Sequence, residues 1–555
     1  INININFLFL FINFYFILKC LFKLIIFFKM KLYKLFNYTS RLTPLKFIIV
    51  ACVLSIFINW LLQIKSGNSS WDVDGFMYLG FRLLEGEFLW TIEYDDKLPI
   101  VQILFVLPSL FESIFIWFLI SSTFVIFGAW ACYIFVIDVL SKYSSIPSVE
   151  RQLSAILASI SMIYLSTFLP GTFYHINLVS ASAAIISFAL LIRSLQNDNR
   201  INIILFFISA FSASLSIGIR PYFFFSLITG VPLLIINHFR ILRKKSKIFK
   251  LVGFWILLVG LFGFILNVVP YIYIGDLNSL YAGISMLSQE LNPQEIQYTI
   301  LNFITGLWKQ PLMIKIFIIF SVVTVIKILF KLITSNTENF IIRKIQYDII
   351  ILILISPLLL LALILSKHFH THYLQMFAPF LALGVGFFFS IGFGSLVKKL
   401  SKGSKVVWLI TISFVLITIL PVSINDLIKF NKEKNIDHVT YVAEAVSMQP
   451  EDQQDFLFID DIRSHWMLSE SRHGFPQAAN TRHIILLDWW TEIKMPIHFE
   501  HPTNSEEYCM ALEKKGPSLV FIYQLKNFET SCLKTSSVYR FLKQLHNGVS
   551  LFKRY

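Results

Sequence analysis

The chain has 555 residues, 56% of them hydrophobic and only 14% charged, well under the roughly 25% charged of a soluble domain. Its net charge is +14 and its mean hydropathy +0.70, which excludes an ordinary soluble enzyme and points to a polytopic membrane protein. The surplus of Lys and Arg then belongs to loops retained on the cytoplasmic side, not to a nucleic-acid surface.

Residues 1–29 are almost all Ile, Asn, Phe, Leu and Lys, and the first Met is Met30. The segment reads as an upstream leader, with a signal peptide or an extra span as the alternatives, and it is set aside from the fold argument. A first span is expected at about 47–63. Residues 64–112 then form an acidic external loop with Asp72, Asp74, Glu85, Glu87, Glu93, Asp95 and Asp96 against only Arg82 and Lys97 between Trp71 and Pro108. Carboxylates crowded at a membrane surface repel one another, so they need a metal, a cationic partner or proton-transfer chemistry unless they are merely solvated. A helix is expected to begin near Gly75, with Asp72 or Asp74 as its cap. A short interfacial helix follows, bracketed by Pro99 and Pro108 and ended by Glu112.

Further spans are expected near 113–140, 153–169, 176–193, 201–217, 220–238, 251–270, 312–331, 348–366, 374–396 and 406–424. A polar stretch at about 271–311 and the short loop SKHFHTHY interrupt them. Placing the N-terminal basic cluster inside also puts the clusters at 142–151, 193–200, 240–250, 331–344 and 398–405 inside. The loops at 64–112, 170–175, 271–311 and 367–373 fall outside. One topology of about eleven spans satisfies every basic cluster, so residues 30–425 form one membrane domain.

Residues 426–555 shift to a soluble composition and face outward. DFLFIDD and SLVFIY have the pattern of short buried strands, whereas HVTYVAEAVSMQ and SSVYRFLKQLHN read as helices. The expected fold is a polytopic α-helical membrane protein with a small C-terminal extracytoplasmic α/β domain. Cys509 and Cys532 pair or stay apart at even odds, since pairing is not legible in sequence.

The stretch Asp72–Lys97 resembles the first external loop of the GT-C glycosyltransferases, in the branch of the dolichyl-phosphate-mannose protein mannosyltransferases and the bacterial aminoarabinose transferases. Asp72, Tyr78, Gly80, Gly86, Asp95 and Lys97 fall on that loop's pattern without a gap. The pattern's first Gly is Asp74 here, its first paired Pro is Leu98, and the His before Lys is Asp96. A second form of the motif places its Asp at Asp74 instead. Arg220-Pro221-Tyr222 opens a span as in such proteins, and His372-Tyr373 with Pro379 is similar to the family's late motif.

The resemblance implies transfer of a sugar from a polyprenyl-phosphate carrier to an extracytoplasmic acceptor, whether lipid, glycan or protein. The enzyme would lie in the plasma (cell inner) membrane with its active site outside. Asp72, or secondly Asp74, would be the general base. Lys97, Arg220, His372 and Tyr373 would hold the donor phosphate, while Lys97 and Arg220 also fit plain interfacial anchors. Asp96 and His370 are the positions for a divalent metal, a dependence left open, and no other cofactor is implied. A transporter or flippase for lipid-linked saccharide is the alternative, but it should show charges or breaks at mid-membrane and internal repeats. A partner-binding membrane scaffold leaves the carboxylates unexplained.

Overall fold

The computed structural model describes residues 71–84, 86, 88, 98–111, 113, 114–141, 146, 148–169, 175–195, 201–239, 245–288, 296–310, 312–334, 356, 358–365, 371–392, 445, 448–450, 456–459, 513, 518–523, 536–545 and 549–555. The expected spans near 47–63 and 406–424 lie outside them, as do Lys97, Asp96, His370, Cys509 and Cys532.

The described residues are mostly helical. In chain order the helices are α1 (Trp71–Leu84), α2 (Ile100–Leu110), α3 (Ile114–Ser141), α4 (Ser148–Phe168), α5 (Ile176–Ser194), α6 (Ile203–Ile219), α7 (Phe223–Phe239), α8 (Lys245–Asn267), α9 (Val269–Ile274), α10 (Leu277–Ser288), α11 (Ile296–Trp308), α12 (Leu312–Thr334) and α13 (Ala378–Phe387). A tight 3-10 turn, Thr371–Phe377, leads into α13, and a wider π turn, Phe388–Gly392, leaves it. Among the described residues four segments are long and apolar enough to cross a membrane: Phe115–Ser141, Ile176–Ser194, Ile248–Asn267 and His372–Ser390. Several such helices mark a multi-pass membrane protein. The spans expected near 153–169, 201–217, 220–238 and 312–331 each appear as a helix, and residues 358–365 of the one expected near 348–366 are helical.

Hydrocarbon gives helices no hydrophobic reason to associate, so close approach and internal hydrogen bonds must hold them. The bundle follows that logic. Gly128 faces Ser182 of α5, and Gly386 faces Ala158 of α4. Ser321 and Thr324 of α12 donate to the carbonyls of Leu381 and Gly384 in α13, at 3.2 and 3.3 Å. Between α5 and α6 the serines lock reciprocally. Ser180 Oγ donates to the Ser216 carbonyl and Ser216 Oγ to the Ser180 carbonyl, both at 2.9 Å. Two turns deeper Ser209 Oγ donates to the Ser187 carbonyl at 2.8 Å, and Trp255 of α8 reaches Ser209.

The structure revises the acidic loop. Its first helix already includes Trp71, so Asp72 and Asp74 are helical residues and not caps of a helix starting near Gly75. Positions two apart in an α-helix diverge by about 200° around the axis, so positions 72 and 74 differ in backbone register. Residue 72 shares its register with the buried Phe76 and Leu79, whereas residue 74 falls on the far side. α2 begins after Pro99 as expected, but Pro108 sits inside its last turn. Both glycines of the loop motif have a physical reason. A Cβ on Gly80 would collide with the Phe105 carbonyl and lie 2.6 Å from Ser109 Oγ, so its absence lets α1 and α2 touch. Gly86 adopts φ +88°, a left-handed turn that stops α1. Gln102 and Ser109 of α2 then donate to the carbonyls of Leu79 and Met77.

The 271–311 stretch, expected as a polar loop, is largely helical as α9, α10 and α11. In the C-terminal part β1 (Phe456–Ile459) and β2 (Leu519–Tyr523) match the expected strands and pair in parallel. The segment SSVYRFLKQLHN, expected as a helix, instead supplies β3 (Tyr539–Gln544), which pairs antiparallel with β4 (Val549–Arg554). The sheet order is β1-β2-β4-β3. The strand prevails because Tyr539 is buried and Phe541 packs on Phe552 at 5.7 Å, which the sheet rewards and a lone helical turn would not. Of the expected helix HVTYVAEAVSMQ, Ala445 is helical and most of the rest lies outside the described residues.

Candidate functional site

One end of the bundle gathers the ends of three elements. α5 begins after His175, whose extended backbone (φ −65°, ψ 141°) suits a cap, and whose Nδ1 accepts from the Asn177 amide at 3.1 Å. That bond assigns the proton of the neutral ring to Nε2. α6 ends at Arg220 because Pro221 follows. A residue before proline is driven out of the helical region, and Arg220 has φ −139° and ψ 101°. The third element is the 3-10 turn with His372 and Tyr373.

Asn177 joins all three. Its Oδ1 accepts from Arg220 Nε at 2.5 Å, and its Nδ2 donates to the His372 carbonyl at 3.1 Å. The Arg220 guanidinium carbon lies 5.2 Å from the centroid of the Tyr373 ring. Tyr222 packs on the same ring at 5.7 Å, and His372 lies 4.7 Å from both Tyr373 and His175.

Arg220 is 2% exposed. Its Nε is held by Asn177, and among the described residues no carboxylate pairs with it and nothing accepts from its two terminal amino groups. A buried, unneutralised guanidinium is costly. It becomes favourable when an anion arrives to take both terminal groups at once, the fork geometry that suits phosphate and carboxylate.

The opposite end treats its arginines differently. Arg193, at the far end of α5, lies 3.6 Å from Asp138 of α3, and Arg151 of α4 donates to the Ser141 carbonyl at 3.2 Å. Each of these two has a partner within the protein.

The acidic loop reaches the Arg220 end through α2. The Ile100 amide donates to Asn267 Oδ1 at 3.1 Å, and a Cβ on Gly218 would lie 2.9 Å from Ile100 Cγ2. Gly218 is two residues before Arg220, and Ile100 three residues after Lys97. The backbone positions of Asp72 and Asp74 are on α1, which packs against this same α2.

Of the residues singled out in the sequence, Arg220, His372 and Tyr373 come together, across some 150 positions of chain. Asp72 and Asp74 are placed on α1 by backbone register alone. Lys97, Asp96 and His370 lie outside the described residues. His175 and Asn177 were missed. Their signal was a His and an Asn at the mouth of a span, in the loop LPGTFYHIN, where polar groups are costly unless used. Among the described residues no three His, Cys, Asp or Glu side chains cluster as metal ligands.

By itself the arrangement can bind and orient an anion between a fixed guanidinium and an aromatic wall. No protein-family model and no curated protein matches this chain.

Proposed function

We propose that this protein is an integral-membrane glycosyltransferase that moves a sugar from a polyprenyl-phosphate carrier to an acceptor on the extracytoplasmic side. Arg220 takes the carrier phosphate, with His372 and Tyr373 beside it and Lys97 as a second cation. Asp72 is the general base that accepts the acceptor's proton as it attacks the anomeric carbon, and the lipid phosphate leaves with its negative charge held by the cations. A GT-C-like arrangement of about eleven spans, with residues 426–555 outside, belongs to the same proposal.

The observation that carries it is Arg220, a buried guanidinium with Nε fixed by Asn177 and, among the described residues, no acceptor on its two terminal donors. The geometry of the two motif glycines supports it too, since Gly80 lets α1 touch α2 and Gly86 takes the left-handed turn after α1. A flippase would carry its ligand through mid-membrane, whereas the cluster here sits at the helix ends.

The experiment offers purified protein a panel of radiolabelled polyprenyl-phosphate sugars with a crude membrane acceptor fraction. Release of sugar by the wild type, and its loss in folded Arg220→Ala, support the transferase. Intact donors together with labelled lipid crossing a vesicle membrane replace it with the transporter.

A further inference from the structure

The stretch from 268 to 311 was legible in sequence only as a polar connection, yet its helices expose apolar side chains in an ordered way. α11 has three faces. Thr299, Phe303, Gly306 and Gln310 turn inward, and Phe303 packs on Phe377, at the end of the turn that holds His372 and Tyr373, with 5.9 Å between rings. Ile300, Leu301, Ile304 and Trp308 form an exposed apolar stripe beside that face. Asn302 and Thr305 form an exposed polar stripe on its other side, continued past the end of the helix by Lys309. At about 100° per residue the three follow one another around the axis. α10 repeats the order: Leu280 and Gly283 are buried, Leu277, Tyr281 and Ile284 form the exposed apolar stripe, and Asn278 lies beyond it.

Among the described residues of this region the most exposed aromatic side chains are Tyr273 at 88%, Tyr281 at 77% and Trp308 at 76%. Neither α10 nor α11 contains a charged residue. Lys315 sets its ammonium 4.9 Å from the centroid of the Trp308 ring. The segment also starts and ends at the level of the Arg220 site. α8 closes at Asn267, which holds Ile100, and α12 opens at Leu312 just after α11.

We propose that α10 and α11 lie in the plane of the membrane interface, their apolar stripes sunk into the acyl chains of the leaflet at the Arg220 end and their polar stripes in the headgroups. Charge-free amphipathic helices with Tyr and Trp at the boundary are what an interface selects. The occupant of the apolar stripes is bilayer lipid. The proposal is independent of the transferase reading, because it rests on the exposed faces and not on any ligand.

The test reconstitutes the full chain in vesicles of phosphatidylcholine and phosphatidylglycerol, brominated at acyl carbons 6,7 or 11,12. The reporters are the Trp308 signal, taken as wild type minus Trp308→Phe, and an added reporter, Tyr281→Trp. Burial of about 5–10 Å predicts that shallow bromines remove roughly half or more of each signal, deep bromines less, and aqueous acrylamide little. Strong acrylamide quenching without bromine quenching overturns the proposal. So does protection from both quenchers in a chain that migrates as a dimer, which would make a second copy the occupant. Sugar transfer, measured on the same vesicles, can be present or absent in either case.

Discussion

Arg220 stands over the ring of Tyr373, its guanidinium carbon 5.2 Å from the ring centre, although 153 positions of chain separate them. The contact covers one face of the cation with an aromatic surface that supplies no hydrogen-bond acceptor in the guanidinium plane. Among the described residues nothing accepts from the terminal amino groups, while the group itself is held in place. This combination of fixed and unsatisfied suits recognition better than stability.

Arg220→Ala should lower donor turnover by about 10²–10³, the loss typical of removing one charge-stabilising donor. Arg220→Lys should rescue little. An ammonium cannot both donate to Asn177 and offer two coplanar donors to an anion. Rates with a polyprenyl-phosphate sugar, alongside thermal unfolding to confirm folding, check both.

Asn177→Asp places a carboxylate against Arg220 Nε and neutralises the guanidinium from within. The expected outcome is loss of anion binding, with the new ion pair to Arg220 offset in stability by the lost Nδ2 donation to the His372 carbonyl. Asn177→Ala should instead weaken the link to the His372 carbonyl and lower stability by about 1–3 kcal/mol, the cost of leaving buried partners unmade. Equilibrium binding of the donor and melting temperature separate the two effects.

The helical register of α1 predicts unequal roles for its two carboxylates. Asp72→Asn should reduce transfer by about 10²–10⁴, as for loss of a general base, with donor binding intact. Asp74→Asn should stay within a few-fold of wild type. Single-turnover kinetics for the two variants decide the matter, and the reverse ranking would move the base to Asp74.

Gly80→Ala tests the packing of the acidic loop. The new Cβ meets the Phe105 carbonyl, a backbone atom that cannot swing away. Separating α1 from α2 should cost about 1–3 kcal/mol and depress both melting temperature and transfer. Gly86→Ala has open space around it and pays only for φ +88°, about 1–2 kcal/mol.

The long apolar runs were legible because a bilayer imposes length and composition together, so α3, α5, α8 and the segment around α13 followed directly. Arg220, His372 and Tyr373 were singled out through a resemblance, carried by Arg220-Pro221-Tyr222 and by His372-Tyr373 with Pro379, and the structure shows that they lie together. Asn177 was not, since a single amide at a helix start is an ordinary sight until its two partners are known. β3 was misread because VYRFLKQL carries a helical spacing of apolar residues. The Asn547-Gly548 pair, a strong hairpin signal before the alternating VSLFKR, outweighs that spacing. α10 and α11 escaped notice because a stripe only three or four residues deep vanishes among Asn, Ser and Gln.

The reciprocal serine bonds between α5 and α6 have a consequence at the mouth of the bundle. Ser180 is one turn in from Asn177, and Ser216 one turn in from Arg220. A slip of a single residue between the helices would shift one past the other by about 1.5 Å and turn it by about 100°. Asn177 would then no longer face Arg220. The two hydroxyls thus act as a vernier, buried between the helices where water cannot compete for them, and they set the alignment of polar groups they never touch. Selection could retune the reach of Arg220 by changing small side chains well below it, leaving every residue at the surface of the site unchanged.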